Sequence, residues 1–224
     1  MSDVIVLEDI RKYYRTRGGT VRAVDGISLT IPKGSFTSII GQSGSGKSTL
    51  MNILGCLDTP DSGVYVLDGI PVGSMKEREL TCVRSQFIGF VFQSFHLLPS
   101  LNALENVELP LIYKGKNKRE RSILAREALA MVGLEERIFH KPYELSGGQQ
   151  QRVAIARAIA GNPSLILADE PTGNLDSSSG SEIMRILCEL HRSGTTIVLI
   201  THDNSVAQMA QTCIRISDGK IKQI

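Results

Sequence analysis

The sequence predicts an α/β fold, on three observations. Short apolar runs of strand type alternate with stretches of helical spacing at both ends of the 224-residue chain. A glycine-rich run, Gly41-Gln42-Ser43-Gly44-Ser45-Gly46-Lys47-Ser48, joins the apolar run Phe36–Ile40 to a helix that starts near Lys47. Between the two alternating ends helical patterns dominate. The core is therefore expected from residues 1–81 and 161–224, around a mostly helical insertion at about 82–160.

Taken in order, Val4–Leu7, Ile27–Ile31 and Phe36–Ile40 read as strands, with Pro32-Lys33-Gly34 as the turn between the last two. Val64–Leu67, ahead of Asp68-Gly69, is a further strand. Glu77–Ser85 is helical, Ala103–Tyr113 is helical but broken by Pro110, and Arg119–Met131 has apolar residues at helical spacing; the strand Ile88–Phe92 interrupts this region. A helix follows Leu145 and runs to about Ala160, where Gly161-Asn162-Pro163 stops it. Leu165–Ala168 is a strand of buried type, Ser178–Arg192 a helix, Thr196–Ile200 a strand and Ser205–Gln211 a helix. Ile214–Ser217 and Lys220–Ile224 form a terminal hairpin about Asp218-Gly219.

With 42% hydrophobic and 21% charged residues the composition is that of a globular protein with a packed core. A net charge of +2 supplies no field for nucleic acid, and the basic stretch Lys114–Arg121 reads as a solvated helix entry, so no nucleic-acid partner is expected. Cys56, Cys82, Cys188 and Cys213 are scattered, with no CxxC pair, which suits a reducing compartment and argues against structural zinc. The acidic start Met1-Ser2-Asp3 is unlike a signal peptide, and no apolar run is long enough to cross a bilayer.

Three motifs carry chemistry. The run Gly41–Ser48 fits GxxxxGK[ST]. Its glycines allow the backbone N–H groups of Gly41, Ser43, Gly44, Ser45 and Gly46 to converge on phosphate oxygens. Lys47 neutralises the β- and γ-phosphates, the Ser48 hydroxyl suits Mg²⁺, and Thr49 follows in the first helical turn, whose positive dipole end adds to the site. The chain is therefore expected to bind a nucleoside triphosphate. Leu165–Ala168 runs into Asp169-Glu170, which brings one carboxylate to the metal and a second to the water that attacks the γ-phosphate. Leu145-Ser146-Gly147-Gly148-Gln149 precedes a long helix; by residue chemistry alone Ser146 is a helix cap there, with an anion site as the alternative.

Leu145–Gln149, lying between the phosphate loop and the Asp169-Glu170 strand, resembles the signature of the ATP-binding-cassette (ABC) ATPases, and the resemblance covers essentially the whole chain. It implies a phosphate-loop NTPase core with an antiparallel β subdomain and an inserted helical signature subdomain. It implies ATP and Mg²⁺ as ligands, ATP hydrolysis, and a head-to-tail homodimer formed with ATP, in which Ser146, Gly147, Gly148 and Gln149 act on the partner's nucleotide. By the same resemblance Gln93 senses Mg²⁺ and the attacking water, His202 contacts the γ-phosphate and Glu170, and Asp176 lies at the dimer interface. An aromatic near the N-terminus stacks on adenine in this family; Tyr13 and Tyr14 both stand in the right place, and Tyr14 is taken as that residue. Stacking alone implies weak discrimination between ATP and GTP. The chain departs from common relatives at Gln42, where proline is frequent, and at Gly173-Asn174, where Ser-Ala is frequent; neither removes a catalytic group.

Leu54–Asp58, Ala103–Val107 and Gly148–Arg152 look like the macrolide-export and lipoprotein-release branch of the family. The branch implies a partner permease with few membrane helices and a large extracytoplasmic domain, a peripheral position on the cytoplasmic side of the cell membrane, and lipoprotein, macrolide or peptide as cargo. Ser94–Pro99, with Leu101–Val107, is the expected seat of a cytoplasmic permease helix. The alternative function is an ATP-driven regulator of a membrane-bound cell-wall hydrolase or signalling partner, without transport.

Overall fold

The computed structural model describes residues 2–16 and 19–223. Its strands are β1 (Asp3–Thr16), β2 (Gly19–Pro32), β3 (Phe36–Ile40), β4 (Ser62–Leu67), β5 (Ile70–Pro71), β6 (Ile88–Phe92), β7 (Leu165–Asp169), β8 (Thr196–Thr201), β9 (Thr212–Ser217) and β10 (Lys220–Gln223). Its α-helices are α1 (Lys47–Leu54), α2 (Glu77–Phe87), α3 (Ala103–Tyr113), α4 (Lys118–Met131), α5 (Gly147–Ile159), α6 (Ser177–Arg192) and α7 (Asn204–Ala207).

A six-stranded sheet of order β10-β9-β3-β8-β7-β6 is parallel throughout except for the terminal β9–β10 hairpin. Helices and a second sheet cover both of its faces, which is why its strands are continuous apolar runs. Alternate residues divide between two cores. Leu165, Leu167, Val198 and Ile200 pack with α1, α2 and the second sheet, whereas Ile166, Ala168, Ile197 and Leu199 pack with α3 to α6.

The second sheet is antiparallel, of order β2-β1-β4-β5, and its β1 and β2, of 14 residues each, are about three times as long as the sequence suggested. A bulge hides their outer halves. Asp9 takes φ +48° and gives its N–H to Ser28 Oγ at 3.0 Å. The register shifts between Leu7 and Ile10, so the alternation of apolar residues resumes out of phase. The extended ribbon sets Tyr14 opposite Val21 and Tyr13 opposite Arg22, and it carries residues 20–23 to the phosphate loop.

Other expectations need correction. Ile88–Phe92, read as part of the helical insertion, pairs in parallel with β7 and so belongs to the six-stranded sheet. α2 also packs into the core beside it through Leu80 and Val83. Helix α3 runs through Pro110 without breaking, anchored by the buried Val107 and Leu111. Ala103, Leu104 and Val107, expected at a permease surface, are buried among α3–α5 residues. α7 stops at Ala207 instead of reaching Gln211, whose N–H is already bonded to the Phe36 carbonyl at 2.9 Å. Of the terminal hairpin, Ile224 lies outside the described residues. The turn at Asp218-Gly219 stitches the hairpin to the other end of the chain: Gly219 N–H donates to the Ser45 carbonyl (3.0 Å), and the Gly219 carbonyl accepts from Asp25 N–H (2.8 Å).

Candidate functional site

The carboxyl ends of β3, β7 and β8 open into a cavity of about 1410 Å³. This is where a parallel sheet presents its loops, and hence where ligands of such folds bind. The loop from Gly41 to Thr49 forms one wall, except that Ser45 is turned inward and is 7% exposed. Gly46 caps α1 with φ +103°, and a Cβ there would lie 2.1 Å from the Ala23 carbonyl oxygen. Only glycine fits both the conformation and the approach of β2. Lys47 crosses the loop, its Nζ donating to the carbonyls of Gly41 (2.7 Å) and Gln42 (2.8 Å).

Opposite stand Asp169 and Glu170, at the end of β7. Burial, then the adjacent Glu170 charge, raise the Asp169 carboxyl above the usual range, with Lys47 opposing. Glu170 takes φ +45°, and its N–H is tied to the Ile200 carbonyl at 2.8 Å. Its Oε1 accepts from His202 N–H (2.8 Å) and from His202 Nδ1 (2.6 Å), and its Oε2 accepts from Thr201 Oγ1 (3.0 Å). Because a carboxylate only accepts, the His202 hydrogen is on Nδ1 and Nε2 is left for another partner. Oε1 already has two donors and Oε2 one, so Oε2 keeps the capacity to accept from a water.

Gln93 and Ser48 line the same cavity as Asp169. Amide, hydroxyl and carboxylate oxygens suit a hard cation, and the unrelieved Asp169 charge is what a divalent cation would neutralise. No group of three or more His, Cys, Asp or Glu residues able to hold a metal occurs among the described residues. Magnesium takes one or two carboxylates and completes its shell with phosphate and water, a demand that Asp169 with Ser48 and Gln93 could meet.

The raised Asp169 carboxyl gives a test. The folded chain holds that proton more tightly than the unfolded one, so stability falls as pH climbs from the ordinary carboxylate value through the raised one. Asp169→Asn is therefore expected to raise the melting temperature at pH 7 without nucleotide, by about 2–4 °C for each kcal/mol relieved. The difference shrinks below pH 4, and the added protection by ATP with Mg²⁺ is lost; thermal denaturation across pH checks all three.

Tyr14 lines the cavity, its hydroxyl donating to Asp58 at 3.0 Å. Tyr13 is absent from the lining and donates to Asp25 at 2.6 Å. Thr20, Val21, Arg22 and Ala23 of β2, with Arg215 and Asp218 near the C-terminus, also line it. Sequence reasoning missed these; the length of the ribbon, concealed by the bulge, could have pointed to residues 20–23, whereas Arg215 and Asp218 reach the cavity through the pairing of β9 with β3.

Ser146 to Gln149 and Asp176 do not line this cavity. They gather where α5 and α6 begin. Ser146 Oγ accepts from Gln149 N–H (3.3 Å) and Gln149 Oε1 accepts from Ser146 N–H (2.9 Å), a reciprocal cap. The cap uses a lone pair of the hydroxyl and leaves its hydrogen to donate outward. A Cβ on Gly148 would meet Ser179 Oγ at 3.0 Å, and one on Gly147 would meet Leu175 at 3.4 Å. Asp176 caps α6 by accepting from the N–H groups of Ser178 (3.1 Å) and Ser179 (3.0 Å); the Ser179 bond is the chief reason that its carboxyl is held well below the usual range. Gln151, also missed, is fully buried in α5 and donates to the carbonyls of Phe92 (3.2 Å) and Pro171 (2.7 Å), next to Gln93 and Glu170.

A family model described as ABC transporter matches residues 24–173. The macrolide export ATP-binding/permease protein MacB of Hyphomonas neptunium is 53% identical over 218 residues, 97% of this chain, which spans only 34% of that protein's length. An uncharacterized ABC transporter ATP-binding protein of Bacillus subtilis, YknY, is also 53% identical over 218 residues, covering 97% of this chain and 95% of the relative. Among solved structures, the dimeric bacterial ABC transporter cassette MJ0796 matches with a TM-score of 0.89 and 49% identity over 98% of this chain and 97% of that one. A dimeric post-hydrolysis state of the same cassette, bound to ADP and Pi, matches with a TM-score of 0.89 and 47% identity, again over 98% and 97% of the two chains.

Proposed function

This chain belongs to the ABC transporter family as an ATP-binding ATPase cassette, and we propose that it is the motor subunit of a membrane complex. In that reading ATP-driven head-to-tail dimerisation of two copies powers a separate transmembrane permease for export or extraction of a lipoprotein, macrolide or peptide. One observation carries the dimer: the cavity gathers Lys47, Ser48, Gln93, Asp169, Glu170 and His202, while Ser146–Gln149 and Asp176 are not among its lining residues. An outward hydroxyl and a helix N-terminus with no phosphate site of their own suit the nucleotide of a second copy.

In the proposed reaction the N–H groups of Gly41–Gly46 and the Lys47 ammonium hold the β- and γ-phosphates, and Tyr14 stacks on the base, with Thr49 beside it. Ser48, Gln93 and Asp169 would hold Mg²⁺, which would supply charge neutralisation between the phosphates. Glu170 Oε2 orients the attacking water and takes its proton, while His202 keeps the carboxylate in place through Nδ1 and offers Nε2 to the γ-phosphate. Ser146, Gly147, Gly148 and Gln149 grip that phosphate from the partner, and Asp176 lies between the two copies. Once the γ-phosphate leaves, the charge those groups grip is gone and the pair opens.

Mixing two inactive variants tests the arrangement. Lys47→Ala disables the phosphate loop. Ser146→Asp keeps a good helix cap but sets a negative charge against the partner's phosphate. Each alone is expected to hydrolyse no ATP. Their mixture is expected to recover activity, because one of the two sites in the mixed pair has both halves intact. No recovery would mean that the signature loop serves its own chain or none.

The permease seat is proposed in a groove of about 340 Å³ lined by Phe90, Phe92, His96, Leu109, Tyr113 and Arg157 among others. Its shape depends on a bent segment: Phe95 and His96 both take positive φ (+57° and +49°), and Arg157 of α5 donates to their carbonyls at 2.7 and 2.6 Å. A permease fits the name of the MacB relative, which joins ATP-binding and permease functions, and no helix among the described residues is long and apolar enough to cross a membrane. A large extracytoplasmic permease domain and a peripheral site on the cytoplasmic face of the membrane rest on the resemblance to the macrolide-export branch. Arg157→Ala is expected to free the bent segment, so that limited proteolysis cuts within residues 94–99 several-fold faster, with Arg157→Lys intermediate.

A further inference from the structure

Gly173 and Asn174 stand against Gln93. Asn174 Oδ1 accepts from Gln93 Nε2 at 3.0 Å, and Asn174 Nδ2 donates to the main-chain carbonyl of Gln93 at 3.1 Å. These two bonds fix the direction of both side-chain amides. A main-chain carbonyl can only accept, so Asn174 must turn its NH₂ towards it and its oxygen towards the Gln93 side chain. That oxygen can only accept, so Gln93 must in turn present its NH₂ to Asn174. Gln93 Oε1 is then the end left for the cavity that Gln93 lines. An amide with its nitrogen there would offer a magnesium ion no lone pair.

Gly173 completes the arrangement by absence of bulk. It is not among the glycines with positive φ, so its backbone conformation does not demand glycine. Space does: a Cβ at Gly173 would lie 2.7 Å from Gln93 Nε2, 3.1 Å from its Cδ and 3.3 Å from its Cγ. All three atoms belong to one flexible side chain, so an added methyl would displace Gln93 and leave the fold intact.

We propose that Asn174 is a positioning residue that orients the Gln93 amide oxygen-first towards the reaction site, in space that Gly173 leaves open. The inference rests on the reading of Gln93 as a ligand for magnesium and the attacking water. Asn174 lies between Glu170 and the helix cap Asp176, so this orientation links the reaction site to the proposed dimer face.

The test is a double-mutant cycle on the full chain. Asn174→Ala, Gly173→Ala and Gln93→Ala are made singly, and each of the first two is combined with Gln93→Ala; ATPase rate is measured against Mg²⁺ concentration, and nucleotide affinity in EDTA. Asn174→Ala and Gly173→Ala are each expected to lower kcat about threefold to tenfold and to raise the Mg²⁺ concentration for half-maximal rate. Affinity in EDTA stays at the wild-type value, and neither change costs anything further once Gln93 is alanine. A merely structural role would weaken nucleotide binding as well, or would persist in the Gln93→Ala background; either result overturns the proposal, as does a wild-type rate and Mg²⁺ dependence for Asn174→Ala. If Gln93→Ala alone hydrolyses like wild type, the role given to Gln93 fails and this inference falls with it, a result read from that single variant.

Discussion

Glu170→Gln is expected to reduce phosphate release by at least about 100-fold, the lower range for loss of a positioned general base, and to trap an ATP-bound dimer. The glutamine oxygen can still accept from the His202 main chain, so the residue keeps its place. It has no negative charge and no basic oxygen where the Glu170 Oε2 accepts from Thr201 alone. In the proposed dimer closure depends on contacts that nucleotide makes with both copies, and those survive, so the closed state accumulates when chemistry stops. Light scattering after size exclusion, with ATP and Mg²⁺, is expected to give twice the mass seen without nucleotide, alongside a flat phosphate assay. A variant that stays monomeric, or hydrolyses at the wild-type rate, would remove Glu170 from the role given to it.

Gly46→Ala is expected to weaken nucleotide binding by about 100-fold or more, while the protein still folds. The added methyl meets the Ala23 carbonyl oxygen at 2.1 Å, a main-chain atom that cannot swing aside. Alanine also resists φ +103°, at a cost of about 1–3 kcal/mol. The loop relieves both strains by moving away from β2, which takes the N–H groups and the start of α1 out of line with the phosphates. A shift of about 1 Å in such a site is enough to cost about two orders of magnitude. Titration of a fluorescent ATP analogue checks the affinity, and circular dichroism the fold.

The parts of this site that were legible in the sequence are those whose chemistry demands rare residue types in fixed order. Gly41–Ser48 and Asp169-Glu170 stand out because the roles proposed for them, a phosphate loop and a metal-side carboxylate, admit few substitutes, and all of them but Ser45 line one cavity. The parts that were not legible depend on proximity in space. Arg157 reads as one more polar residue of a helix until Phe95 and His96 are seen to bend beneath it. Gln151 and Asn174 are ordinary amides until the carbonyls they serve are located. Ile88–Phe92 was recognised as a strand, but nothing local tells a strand which neighbour it will pair with. The outer halves of β1 and β2 were lost to a bulge at Asp9 and the further register shifts at Ile10/Arg11 and Lys12/Tyr13, because each shift by one position inverts the polarity pattern beyond it.

The turn at Asp218-Gly219 ties the first ribbon, the phosphate loop and the last hairpin into one knot of main-chain bonds. During synthesis the ribbon and the loop leave the ribosome long before their clasp exists. The nascent chain therefore carries its phosphate-binding motif without the wall that steadies it, and the cleft closes into working form only after residue 219 has emerged. Pairings so distant along the chain are slow to form, and a growing polypeptide with an unclasped sheet depends on being sheltered from its neighbours. The emergence of this one turn thus decides when the cassette first becomes able to hold its nucleotide.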